Sequence, residues 1–222
     1  MTRYTPSILC LSSLTLLLSG PASALEVVID FQSPPLEHLG ADPVYVSTWE
    51  EDGFRLTSNI DLDLQSKAFG AWGTSSSDYP GSTALFAAEV FAPPLPTTIT
   101  LNRIDGGAFD ARGISLAPLT ALLPPPESLV FTGQLASGGL VTQTVSVAPS
   151  LTLQPFAFET AFVNLVALRW NQSGAEPHQF DDIRLAVAAV PEPAMALCMF
   201  CGLLALAALR SRSLRMSTAA PA

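Results

Sequence analysis

The chain has 222 residues, a formal net charge of −9, 49% hydrophobic and 13% charged residues, and three cysteines. An acidic surface of this kind repels a phosphate backbone, which sets nucleic acid aside as a partner. Residues 25–189 hold six basic side chains against eighteen acids and no cysteine, so this stretch is long enough to bury a core and has no disulfide to help it.

Taken in chain order, the first element is an address. Arg3, the apolar run Ile8–Leu18 and the small residues Ala22-Ser23-Ala24 have the pattern of a secretory signal peptide over residues 1–24, with cleavage after Ala24. Cys10 follows the bulky Leu9 inside the apolar run, which does not suit lipidation, and it leaves with the leader.

Short alternations of apolar and polar residues then fill residues 25–189, with almost no helical period. The expected strands are 26–31, 44–49, 53–58, 83–90, 97–103, 113–119, 128–135, 140–147, 152–158, 162–170 and 179–187. Between them lie turn formers such as Asp105-Gly106-Gly107 and Ser137-Gly138-Gly139, where glycine permits positive φ. The clearest unit is "SLVFTGQLASGGLVTQTVSV", which alternates into a Gly-Gly turn and out again as a hairpin does. The fold class that follows is all-β: an antiparallel, jelly-roll-like β-sandwich, one domain over 25–189.

Several side chains in this domain carry candidate chemistry. Parity along 180–187 sets Asp181 on the face of Ile183, Leu185 and Val187, the apparent core face, and a carboxylate buried there needs partners. One solution is a structural calcium held by Asp30 or Glu26 on the first strand, Asp181 or Asp182 on the last, and backbone carbonyls; the other is an Asp at a strand start accepting loop N–H bonds. Trp72 and Tyr79 form a candidate sugar-stacking pair, because Gly70-Ala71-Trp72-Gly73 and the polar residues after it read as an exposed loop. Trp49 and Trp170 read as core. Asp61 and Asp63 read as a solvated strand or loop face, and Glu50-Glu51-Asp52 as a charged turn. His38 and His178, the two histidines, accompany no nucleophile elbow, catalytic cysteine or further metal-ligand histidine, so no catalytic residue is assigned. Acid chemistry by two distant carboxylates stays open as an alternative.

The end of the chain is a second address, residues 190–215 followed by a tail, 216–222. It runs Val190-Pro191-Glu192-Pro193-Ala194, an uncharged stretch 194–209, then Arg210, Arg212 and Arg215. Alternate prolines favour an extended segment open to a protease. The sixteen residues 194–209 rise ~24 Å as a helix, a marginal transmembrane anchor, and the arginines keep its end cytoplasmic. Cys198 and Cys201 fall in this run as small apolar residues.

This arrangement resembles the PEP-CTERM sorting signal of Gram-negative bacteria, also catalogued as an ice-binding-protein C-terminal motif. The resemblance implies a membrane enzyme, the exosortase, that recognises Pro191, Glu192 and Pro193 and removes the tail. The strings "IDF", "WEEDGFRLTS", "GGAFDARGISLAP", "VFTGQLASGG" and "FDDIRL" are similar, in that order, to β-rich ectodomains carrying the signal. That likeness implies a sandwich fold and an extracellular, biofilm-associated setting. No regular Thr-x-Thr ladder is visible along the chain, so an ice-binding role finds no support in the sequence.

The expectation is an exported, non-enzymatic protein, transiently anchored in the membrane and then placed at the cell surface or in the extracellular matrix, where it binds or organises exopolysaccharide. Two alternatives stay open: a structural matrix or adhesion protein without glycan affinity, and a glycan-active hydrolase.

Overall fold

Residues with β-branched and aromatic side chains at alternate positions, cut by Gly, Pro and Asp, build thirteen strands among the described residues. They are β1 Leu25–Ile29, β2 Val44–Val46, β3 Trp49–Glu51, β4 Phe54–Ser58, β5 Phe69–Ala71, β6 Leu85–Ala87, β7 Thr97–Arg103, β8 Asp110–Pro118, β9 Leu129–Leu135, β10 Leu140–Val145, β11 Gln154–Ala157, β12 Leu165–Gln172 and β13 His178–Val187. The computed structural model describes residues 24–34, 36–59, 68–88, 97–123, 128–172, 177–188 and Gly202. Residues 1–23 of the leader, the Pro-Glu-Pro segment and the arginine cluster lie outside the described residues, as do Asp61 and Asp63.

The strands form two antiparallel sheets. One has seven strands in the order β11-β8-β13-β6-β5-β2, with β1 also paired to β13; the other has six, β10-β9-β12-β7-β4-β3. Their inner faces share one core, in which Leu56, Ile99, Leu101, Phe131, Leu168 and Trp170 of the six-stranded sheet meet Ile114, Leu116, Phe180, Ile183 and Leu185 of the other. Phe180 is the hub: its ring stands edge-on to Phe31, Phe69 and Trp170, with centroids 5.9, 6.4 and 5.1 Å away. Trp170 is core as expected, and Trp49 packs at the core's margin, its ring against Phe31.

Local turn chemistry sets the register. The β9–β10 hairpin forms as the sequence indicates, with Gln134 opposite Leu140, Leu129 opposite Val145, and Gly138 at φ 97°. In β3–β4 the expected charged turn is displaced: Glu50 and Glu51 are in β3, and the reversal falls on Asp52-Gly53, at φ 46° and 81°. Two positive φ angles in a two-residue loop match the twist of a hairpin, and Asp-Gly supplies them. The strand β5 was not expected at all. Gly70 lies at its centre because a Cβ there would stand 2.5 Å from Phe86 Cζ and 2.9 Å from Tyr45 Cε1.

The two sheets differ in how they meet solvent. Gly113–Thr120 and His178–Asp181 are buried without interruption, so this part of the seven-stranded sheet is covered on both faces. In β4, β7 and β9 buried positions alternate with half-buried or exposed ones, which leaves the outer face of the six-stranded sheet open.

Phe180→Ala removes the ring on which both sheets converge and is expected to cost about 3–5 kcal/mol. Val130→Ala, at a position 44% exposed, is expected to stay within about 0.5 kcal/mol of the unaltered chain. Urea unfolding followed by tryptophan fluorescence checks the contrast; equal midpoints for the two variants would contradict the packing described.

Candidate functional site

The open face of the six-stranded sheet is built from the outward positions of its strands. Register places Thr142 beside Thr132, Thr132 beside Arg169, Arg169 beside Thr100 and Thr100 beside Thr57, a row that crosses five strands from β10 to β4. Side chains of registered neighbours project to the same side, so four hydroxyls and one guanidinium form a line. Strand spacing makes the six-stranded face about 24 Å wide. A second polar line begins where Thr98 Oγ1 donates to Asn171 Oδ1 at 3.0 Å. The absence of a Thr-x-Thr ladder along the chain concealed this row, because it arises from pairing between strands.

Charge on this face departs from the rest of the molecule. The six strands contain two acids, Glu50 and Glu51. Glu50 sits at the edge and binds Arg55, its Oε1 accepting from Nε at 2.6 Å. Glu51 is half-buried, accepting from Trp49 Nε1 at 2.9 Å, and burial pushes its carboxyl up from the usual range. Arg103 and Arg112 hold Asp105 and Asp110 respectively. Arg169 is half-buried at the middle of the open face and has no ion pair among the described residues. Arg184, also without one, is exposed on the other sheet, where it lines an open groove with Arg112 and Glu26.

Of the expected calcium residues, Asp181 and Asp182 lie on β13 and Asp30 directly follows β1, but Asp181 is on a different face than parity implies. Phe180, Ile183 and Leu185 all belong to the core, which regular alternation cannot arrange. The register slips between Asp181 and Arg184, and Asp182 takes φ 44°. This β-bulge shifts the parity, so Asp181 pairs with Ser115, away from the side on which Phe180 pairs with Leu116. Asp181 is fully buried all the same, beneath the segments that carry Asp30, Gln32 and Ser82. Its Oδ1 accepts from the Asp182 N–H at 2.7 Å, and the nearby Ser82 hydroxyl, itself accepting from Gln32 Nε2 at 2.6 Å, favours the ionised form. Oδ2 has no hydrogen-bond partner among the described residues. Burial, reinforced by the negative charges of Asp182 and Asp30, pushes the Asp181 carboxyl up to about 7.

Asp182 is already engaged by Ser115, whose hydroxyl donates to Oδ2 at 3.1 Å. Among the described residues no three acidic, histidine or cysteine side chains are grouped to hold a metal ion. Calcium takes six to eight oxygens, so most of its ligands here would have to be carbonyls and water. A proton on Asp181 meets the same need for neutralisation with the groups present.

The aromatic pair is corrected in part. Trp72 is not on an exposed loop: it follows β5 directly, is half-buried, and lays its ring on Phe86 with centroids 5.4 Å apart. Tyr79 is half-buried in the turn after it, its N–H donating to Ser76 O at 3.3 Å. Of the histidines, His178 is fully buried at the start of β13. His38 directs Nδ1 at Leu36 O, 2.8 Å, and Nε2 at Asp42 O, 2.9 Å. Carbonyls only accept, so the cation suits both contacts, and the pKa is raised by the Leu36 carbonyl first and that of Asp42 second.

No family model matches the chain, and no curated protein matches it. Among solved structures, several carbohydrate-binding modules are similar to this chain. A variant of CBM29-2 shares 9% identity at a TM-score of 0.39, covering 77% of this chain and 99% of its own. The family 32 module of Clostridium perfringens NanJ in complex with galactose shares 13% at 0.36, covering 58% and 94%. TmCBM61 in complex with β-1,4-galactotriose shares 12% at 0.35, covering 62% and 89%.

The raised Asp181 pKa fixes a sign. The folded state holds this proton to higher pH than the unfolded chain does, so stability falls as pH rises from about 4 to about 7 and then levels. In chelator, the melting temperature of the full chain in mild detergent is expected to follow that course, and Asp181→Asn to remove most of the slope. Calcium taken up by Asp30, Asp181 and Asp182 would reverse the effect by holding the carboxylates ionised; a melting temperature at pH 8 indifferent to calcium excludes it.

Proposed function

We propose that this is an exported, non-enzymatic, jelly-roll-type β-sandwich that binds or organises extracellular polysaccharide through the open face of its six-stranded sheet. The observation that carries the reading is the composition of that face. In a chain with a net charge of −9, it presents hydroxyl and amide groups in register, one edge acid already paired, and a central arginine. Sugar hydroxyls both donate and accept hydrogen bonds, and threonine, asparagine and glutamine side chains can answer both roles. Because the groups sit on strands with a packed core beneath, their spacing is fixed before a ligand arrives, which lowers the ordering cost of binding. The charged guanidinium interrupting the threonine row argues against a surface matched to ice.

Delivery is the second half of the proposal. The leader, residues 1–24, exports the chain. Pro191, Glu192 and Pro193, the apolar stretch 194–209, and Arg210, Arg212 and Arg215 hold it at the membrane until an exosortase-type enzyme cuts it. The strands β1 and β13 support the geometry this needs. They pair from Leu25 opposite Val187 to Ile29 opposite Ile183, so the chain enters and leaves the described domain at the same end. The open face is then left to the matrix.

Two measurements test these halves separately. Co-sedimentation of the full chain with extracellular polysaccharide from the producing cells is expected to show binding, and the triple substitution Thr57→Val, Thr100→Val, Thr132→Val to weaken it about tenfold while preserving the melting temperature. Unaltered binding would remove the face from consideration. Intact-mass measurement of the native protein is expected to show a species ending near Pro191–Pro193; a mature form still ending at Ala222 would overturn the sorting proposal.

A further inference from the structure

The charged group at the centre of the open face narrows the ligand. We infer that Arg169 is a subsite for a carboxylate borne by a sugar unit, so that the polysaccharide bound is an acidic one containing uronate or a similarly carboxylated residue. The inference rests on the glycan reading of this face and specifies its ligand class.

Three observations carry it. First, Arg169 is half-buried, with Thr132 on one side and Thr100 on the other, and it has no ion pair among the described residues. Its guanidinium is thus left without a counter-charge from the described residues and offers its donors to an anionic ligand. Second, the chain has acids to spare, 19 against 10 basic residues. The other arginine on this face, Arg55, is held by Glu50, so among the described residues the strands of this face retain one net positive charge, centred on Arg169. Third, the flanking groups are hydroxyls on adjacent strands, positioned to hold the ring that carries the acid. A single planar guanidinium pairs bidentately with a carboxylate, and one net positive charge matches a monoanion. The exposed Arg184 groove lacks this character, because Glu26 and the Asp110 partner of Arg112 cancel its charge.

The acidic remainder of the chain opposes the approach of a polyanion, but at about 0.15 M salt that repulsion is screened beyond about 8 Å, while a carboxylate in contact with Arg169 lies inside the screening length. Docking on this face is therefore favoured over the acidic remainder of the chain.

The test compares the producing cells' extracellular polysaccharide in its native form with the same polymer after chemical reduction of its carboxyl groups to alcohols. Co-sedimentation uses the full chain in mild detergent at about 0.15 M salt. The native polymer is expected to bind about tenfold more tightly than the reduced one, and Arg169→Gln to abolish that difference. Arg169→Lys, which keeps the charge and loses the fork, is expected to fall between; Arg184→Gln is expected to change nothing. Equal binding of both polymers, insensitive to Arg169→Gln, overturns the carboxylate subsite and leaves the glycan reading standing. Binding of neither polymer overturns the glycan reading and the subsite together. If Arg169→Gln fails to fold, as judged by its melting temperature, the Arg169→Lys variant decides: a reduced preference for the native polymer supports the subsite, and an undiminished preference overturns it, because the pairing runs through the bidentate fork.

Discussion

Strand β13 has to serve three neighbours, and the rest of the molecule is arranged around how it does so. It runs beside β8 along its length, meets β6 at Phe180, and pairs with β1 from Ile183 onward. A strand with unbroken alternation cannot direct Phe180, Ile183 and Leu185 all to one core. The bulge at Asp181–Asp182, with its positive φ at a non-glycine residue, resolves this by adding a residue between Phe180 and Ile183. Phe180 is thereby held against Phe31, Phe69 and Trp170, rings that belong to both halves of the sandwich. The consequence of the bulge is a carboxylate enclosed on the opposite face, which keeps its proton to about neutral pH.

The same arrangement decides which face is available for binding. On the seven-stranded sheet, the bulge region is roofed by residues reaching from Asp30–Gln32 and Asp78–Ser82, with Gln179 tied to the carbonyls of Asp78, Pro118 and Leu119. Two-sided burial there strengthens the fold and removes that surface from contact. The six-stranded sheet has no such cover over the described residues of β4, β7 and β9 and keeps an alternating, polar outer side. One sheet thus acts as the structural layer, and the other presents its side chains from a rigid support, a division that follows from burial pattern and charge together.

Much of this is written legibly in the sequence where local chemistry dominates. The alternation through Thr97–Arg103 defines β7 to the residue, and the Gly-Gly turn of β9–β10 announces its hairpin. What could not be read depends on distant partners. Phe69–Ala71 is short and centred on a glycine whose need is set by Phe86 and Tyr45, so Trp72 looked exposed when it is packed. Parity located the burial of Asp181 but not its direction, because a bulge is invisible to period-two counting. The threonine row is the sharpest case: Thr57, Thr100, Thr132 and Thr142 come from four strands, and only register brings them into line on either side of Arg169.

Whether polysaccharide lies on the open face of the six-stranded sheet is tested by hydrogen–deuterium exchange of the full chain with and without the producing cells' polysaccharide. Slowed exchange is predicted in β4, β7, β9 and β12, with β8 and β13 unchanged. Protection confined to the loops around Trp72 and Tyr79, or to the Arg112–Arg184 groove, would contradict it and move the binding surface to the other sheet.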